Sequence, residues 1–232
     1  MIPSVALPKH TTKLPVSGEE ITFRPFLVKE EKILLLAAES GEVKDIVSAT
    51  IDIVEACTEC AVNRNSPMFD VMHMFLHIRG KSVGETLEFN IGCDNEECEI
   101  RTDVSVGVDD FVVTKFPNHT NELKFGNVTV VMRYPTFDVF TELMESDDVE
   151  RIYNIVAKCI VRIITPDESI ENDDPSKLGD FREFIENVTP EQFEKFEKFF
   201  DTMPRIVGHA GYLCKCGTKN EIKIDGVRHF FG

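Results

Sequence analysis

Ile21 and Phe23 alternate with polar neighbours, a two-residue period that marks a strand, and Pro25 closes it. The period then lengthens. Residues 29–40 read as a helix stopped by Gly41, and residues 43–62 as a second. In the second, Val43, Ile46, Val47, Ile53, Val54, Cys57 and Ala61 recur at steps of three and four and define one buried face. A third helix is expected over residues 69–78. Gly80 and Gly84 lead into alternating strands at 86–91 and 100–106, with a short turn bounded by Cys93 and Cys98 between them.

The order then repeats. A strand at 128–133 ends before Pro135, and helical patterns follow over 137–145 and 149–164. After an acidic insertion, Thr189-Pro190-Glu191-Gln192 opens another helix: a capping threonine, proline at the first helical position and glutamine three places after the threonine. Its apolar face is Phe193, Phe196, Phe199, Phe200 and Met203. Strands flank Cys214-Lys215-Cys216-Gly217, the last ending in Val227-Arg228-His229-Phe230-Phe231-Gly232.

This pattern predicts an α+β protein of two similar halves, each a strand, a helical group and a β-hairpin. Residues 1–18, punctuated by Pro3, Pro8, Pro15 and Gly18, read as an extended N-terminal arm outside the core. Residues 19–115 form the first half with the first cysteine hairpin, and residues 116–232 the second half with the second. Internal duplication rests on Arg24-Pro25-Phe26 against Arg133-Tyr134-Pro135-Thr136-Phe137, on Ile53-Val54-Glu55-Ala56-Cys57 against Ile155-Val156-Ala157-Lys158-Cys159, and on the two cysteine hairpins. The alternative is two unrelated halves that share ordinary helix and strand grammar.

A hydrophobic fraction of 42% in 232 residues allows one large core or two small ones. No apolar run reaches the roughly 18 residues of a spanning helix, and the first residues lack a signal-peptide pattern. The protein is therefore expected to stay where it is made, which leaves its Asn-x-Thr sequons at Asn118, Asn127 and Asn187 without a role. A net charge of −16 with no large basic cluster disfavours binding to nucleic acid.

Seven cysteines in such a chain imply reduced thiols or metal ligands rather than a disulfide framework. Cys93, Cys98, Cys214 and Cys216 stand on two tight turns, and two such turns brought together offer the tetrahedral sulfur set that structural zinc takes. In this reading one knuckle comes from each half and the metal joins them. The alternatives are unliganded thiols on packed hairpins, or substitution by His209 or His229. Cys57, Cys60 and Cys159 follow helical apolar faces and read as packing. His73 and His77 stand four apart without the H-E-x-x-H glutamate and read as structural. The insertion from Asp167 to Pro175 is acidic but lacks the EF-hand order, so it reads as a solvated loop rather than a calcium site. No catalytic motif appears, and no catalytic residue is assigned.

The run Lys13-Leu14-Pro15-Val16-Ser17-Gly18-Glu19-Glu20-Ile21-Thr22-Phe23-Arg24-Pro25-Phe26-Leu27-Val28-Lys29-Glu30-Glu31-Lys32-Ile33-Leu34-Leu35 resembles the opening of the T4-type bacteriophage baseplate hub and hub assembly family. The resemblance implies a non-enzymatic viral structural or assembly protein, with other baseplate hub or tail proteins as partners and self-association left open. It implies the host cytoplasm during assembly, or the virion baseplate, as the site of action, without a membrane role. A transient tail assembly chaperone is the alternative. A zinc-dependent hydrolase would need an open coordination position, and a zinc-ribbon nucleic-acid binder would have to overcome the charge. The N-terminal arm and the Phe230-Phe231 tail are the candidate partner surfaces.

Overall fold

A computed structural model describes residues 6–114, 116–144 and 149–225. The first strands are β1 (His10–Lys13) and β2 (Glu20–Phe23), followed by helices α1 (Val28–Ser40), α2 (Val43–Thr58) and α3 (Met68–Val83). Strands β3 (Thr86–Gly92), β4 (Arg101–Gly107), β5 (Phe111–Thr114), β6 (Glu122–Phe125) and β7 (Val128–Met132) come next. Then follow α4 (Phe137–Met144), α5 (Val149–Cys159), β8 (Ile160–Ile164), β9 (Ser169–Glu171), α6 (Leu178–Glu186), α7 (Pro190–Thr202), β10 (Arg205–Leu213) and β11 (Lys219–Asp225). The mixture is α+β, and all strand pairings in the described residues are antiparallel.

The chain forms two compact units. Within the described residues the first comprises 6–63, 69–114 and 205–225, and the second 64–68 and 116–204. This differs from the expected boundary between residues 115 and 116. Strand β10 pairs with β5, with Ile206 opposite Val113, so the second cysteine hairpin belongs to the first unit. Gly208 makes the pairing possible, because a Cβ there would strike the Phe111 ring.

In the first unit the expected free arm is corrected in part. Residues 10–13 form β1 and pair with β2, Thr12 opposite Ile21, and Leu14 is buried. Pairing satisfies the backbone groups that an extended segment leaves open. Helix α2 buries Val47, Ile53, Val54 and Cys57 of the face read from its period, together with Ile51, which that reading left out, while Val43 and Ile46 are half-buried and Ala61 is exposed past the helix end. It ends at Thr58, earlier than expected, because Glu59 and Cys60 take left-handed backbone with φ of 54° and 64°. Cys60 is therefore exposed beyond the helix, whereas Cys57 packs in the core.

Helix α3 carries a buried polar residue. Asp70 is 5% exposed, and its Oδ1 has no hydrogen-bond partner among the described residues. Burial, helped by the charge of Glu19, pushes its carboxyl up to about 6. A raised acid binds its proton more tightly in the folded state, so this group costs stability as pH rises from its unfolded value through 6. Asp70→Asn should therefore stabilise the protein by about 1–2 kcal/mol at pH 7 and by much less at pH 4. Urea unfolding at the two pH values measures the difference, and an equal effect at both would contradict the assignment.

In the second unit β6, β7, β8 and β9 form a sheet in that order. Its inner face and helices α5, α6 and α7 bury Val130, Met132, Ile160, Phe181, Phe196 and Phe199. Helix α7 begins as read: Thr189 Oγ1 accepts from the Gln192 N–H, and Gln192 Oε1 from the Thr189 N–H. The single helix expected over 149–164 is corrected, since it stops at Cys159 and Ile160–Ile164 is strand β8. The β-branched run Ile160, Val161, Ile163 and Ile164 favours a pleated surface once β7 is available to pair. The acidic insertion is likewise part of the sheet edge through β9, with Asp173 bound to Lys177 at 2.6 Å and Glu171 to Arg162 at 3.8 Å.

One arrangement occurs in both units. The Arg24 N–H donates to the Cys57 carbonyl at 3.0 Å and its Nη2 to the Ala56 carbonyl at 3.2 Å. The Arg133 N–H donates to the Cys159 carbonyl at 2.8 Å, and its Nε and Nη2 reach the Lys158 carbonyl at 2.9 and 2.7 Å. Each arginine follows a strand and ties it to the end of a helix.

Candidate metal centre

The four cysteines named from the sequence converge within the first unit. Cys93 and Cys98 bound the turn between β3 and β4, and Cys214 and Cys216 lie in the turn between β10 and β11. Each turn is shaped by its own backbone. The Cys98 N–H donates to the Asn95 carbonyl at 2.9 Å, and the Cys214 N–H to the Thr218 carbonyl at 2.9 Å. Gly217, at φ of 92°, takes a backbone conformation that a Cβ would strain, and its N–H closes onto the Cys214 carbonyl at 2.9 Å.

Two contacts hold the turns together. Asn220 on β11 is 2% exposed, and its Oδ1 accepts from the Asp94 N–H at 2.8 Å. The Tyr212 hydroxyl on β10 donates to the Gly92 carbonyl at the end of β3. Neither residue was read as part of the site, and nothing in the local pattern of Asn220 distinguishes it from an ordinary strand residue.

The four sulfur atoms lie within 4.8 Å of one another. Cys93 Sγ to Cys216 Sγ is 3.6 Å, and Cys98 Sγ to Cys214 Sγ is 3.8 Å. A tetrahedron with metal–sulfur bonds of about 2.3 Å has sulfur–sulfur edges of about 3.8 Å, so these separations suit one four-coordinate ion. They are far longer than a disulfide bond of about 2.05 Å. Cys214 is buried, Cys93 and Cys98 are half-buried, and Cys216 is exposed.

The thiols do not titrate alike. Cys216 is drawn down to about 6, first by the Thr218 hydroxyl and then by the Thr218 backbone N–H, both of which favour its thiolate. The Cys98 thiol is held up to about 12: the Ile100 N–H opposes the rise, but burial and the neighbouring thiols outweigh it. Four thiolates so close repel one another unless a cation answers them.

The other sequence candidates fall elsewhere. His209 is exposed on β10 and does not join the sulfur group, whereas His229, Phe230 and Phe231 lie outside the described residues. Cys159 is buried, and desolvation pushes its thiol up to about 12, which leaves it unreactive at neutral pH. His73 and His77 have ring centroids 4.3 Å apart, and burial lowers both; His73 falls to about 4. Among the described residues the four cysteines are the group of three or more such side chains placed to hold a metal ion. Among the same residues, no helix is long and apolar enough to cross a membrane.

Fold and site together define a small α+β protein whose first unit is closed by a four-thiol cluster between two hairpins. The chain matches the model of the family described as T4 bacteriophage base plate protein over residues 7–232, and it belongs to that family. It is a structural protein of the phage baseplate, and the resemblance read at residues 13–35 extends over nearly the whole chain. No curated protein and no solved structure matches it.

Proposed function

We propose that this protein acts in assembly of the baseplate hub, by binding other hub or tail proteins and without catalysis, and that Cys93, Cys98, Cys214 and Cys216 hold a structural zinc ion. The observation that carries the reading is the family match joined to a cluster of four sulfurs. Four protein sulfurs would fill a tetrahedral zinc shell and leave no position for water or substrate, which is the arrangement of structural rather than hydrolytic zinc. The ion would supply the positive charge that the thiolates need and would fix the β3–β4 and β10–β11 turns to each other. The paired bonding of Arg24 and Arg133 supports descent of the two halves from one duplicated unit.

Infected cells lacking the protein should accumulate incomplete baseplates, seen by electron microscopy of lysates. Normal baseplates and infectious particles in its absence would overturn the assignment. Because β1 and Leu14 are part of the fold, deletion of residues 1–16 should damage the first unit itself. A deletion confined to residues 1–8 should leave thermal unfolding unchanged and weaken assembly if the arm docks on a neighbour.

A further inference from the structure

The matched arginines differ in what completes them. Arg24 stands four residues before Val28, the first residue of α1, and Arg133 stands four before Phe137, the first of α4. In the first unit Glu30, the third residue of α1, fills the site. Arg24 Nη2 donates to Glu30 Oε1 at 2.8 Å, Nη1 to Oε2 at 3.0 Å, and the Leu27 N–H to Oε2 at 2.6 Å. One carboxylate thus answers a guanidinium and a backbone donor at the mouth of a helix.

The same step from Arg133 reaches Val139. There the guanidinium keeps its bonds to the Lys158 carbonyl but pairs with no carboxylate among the described residues. The Thr136 N–H, counterpart of the Leu27 N–H, likewise has no acceptor among them. A partly open cavity of about 640 Å³ lies at this point, with Arg133, Tyr134, Thr136, Val139, Asn65 and Asn121 in its wall. Two other charges on the wall are already answered, Lys158 by Glu142 at 2.7 Å and Asp138 by Arg64 at 3.7 Å.

We propose that this cavity is a carboxylate-binding site whose ligand is a glutamate or aspartate side chain presented by another polypeptide. The first unit fills its version from its own chain; the second has the donors and the space but an apolar residue where the acid would stand. Pro67, Met132, Val139 and the Tyr134 ring give the wall an apolar part suited to the stem of such a side chain, and the open side admits a chain segment. The net charge of −16 repels an acidic partner at a distance, so this contact selects by fit at short range and does not speed encounter. The site deepens the proposed binding role, but its test uses purified protein and is independent of baseplate formation.

The full chain should be titrated with N-acetyl-glutamate methylamide and, separately, with the glutamine analogue and with acetate, following the Thr136 N–H and Arg133 Nε–H resonances by NMR. The glutamate probe should give saturable shifts at both and the glutamine analogue none. Equal affinity for acetate would overturn the polypeptide assignment. Val139→Glu, which supplies the acid from within the chain, should weaken probe binding by about tenfold or more. Its introduced carboxyl should titrate below the usual carboxylate range, and should return to that range when Arg133→Ala is added. No shift of either resonance with the glutamate probe, in protein that is folded, would overturn the proposal whether or not Val139→Glu folds.

Discussion

Treating the protein with a chelator at neutral pH should release about one zinc ion per chain and loosen the two cysteine hairpins together. Amide exchange should rise in β3–β4 and β10–β11 and much less in the β6–β9 sheet, which belongs to the other unit. Cys214→Ser should reproduce the loss, because Cys214 is buried among the sulfurs and serine offers zinc a poor ligand. Cys57→Ser should cost less, about 1–2 kcal/mol, since it alters packing and a 3.5 Å contact from Arg24 Nη1 to the sulfur but leaves the four clustered sulfurs intact. Metal analysis and exchange mass spectrometry read both effects. Folded protein that carries no metal while all four thiols are free would refute the zinc assignment. Release should also follow acidification, because protons compete with the ion for thiolate.

Arg24→Ala should destabilise the first unit by about 3 kcal/mol or more, the cost of leaving a buried carboxylate without its cation. Glu30 has 5% of its side chain exposed, and its pKa is lowered, first by the hydrogen bond from Arg24. A lowered acid contributes stability above its unfolded pKa and loses it as pH falls through the folded one. The penalty of Arg24→Ala should therefore be largest at neutral pH and shrink as acid takes pH through the lowered pKa of Glu30, where its carboxyl is protonated in either protein. Arg133→Ala should cost under about 1 kcal/mol, as it is exposed and loses only a contact to the Lys158 carbonyl. Urea unfolding of the variants at pH 7 and 3.5 measures the contrast. Equal penalties for the two arginines would show that Glu30 does not set the difference.

Local chemistry made much of this legible from residues alone. Gly41 ends α1 where expected, Thr189 and Gln192 cap α7, and the cysteine turns lie between the strands assigned to them. Errors arose where distant pairing overrides local pattern. Residues 160–164 keep a helical spacing of apolar positions, but β7 recruits them into a sheet. Strand β10 follows α7 in sequence, yet its neighbour is β5, about ninety residues earlier, a partnership with no local signature. Short strands β5, β6 and β9 and helix α6 went unread because each offers only one or two periods of pattern. At the cysteine cluster the ligands were visible in the sequence, but the supporting Asn220 and Tyr212 were not. The site at Arg133 was half visible: the arginine match was seen, whereas the change from Glu30 to Val139 needed the helix starts to align the two units.

The return of β10 and β11 to the first unit has a consequence for the order of folding. The second unit is nearly continuous in sequence, so a chain emerging from the ribosome holds almost all of it once residue 204 is made. The first unit is begun earlier and finished later. Until residues 205–225 appear, β5 has no partner in its sheet, and Cys93 and Cys98 have only each other. During that interval the turn between β3 and β4 presents two thiols of an unfinished metal site and β5 offers an unpaired edge, the features by which immature chains aggregate. A protein arranged this way completes its older half last, and a truncation in the final hairpin would be felt in the part of the fold built first.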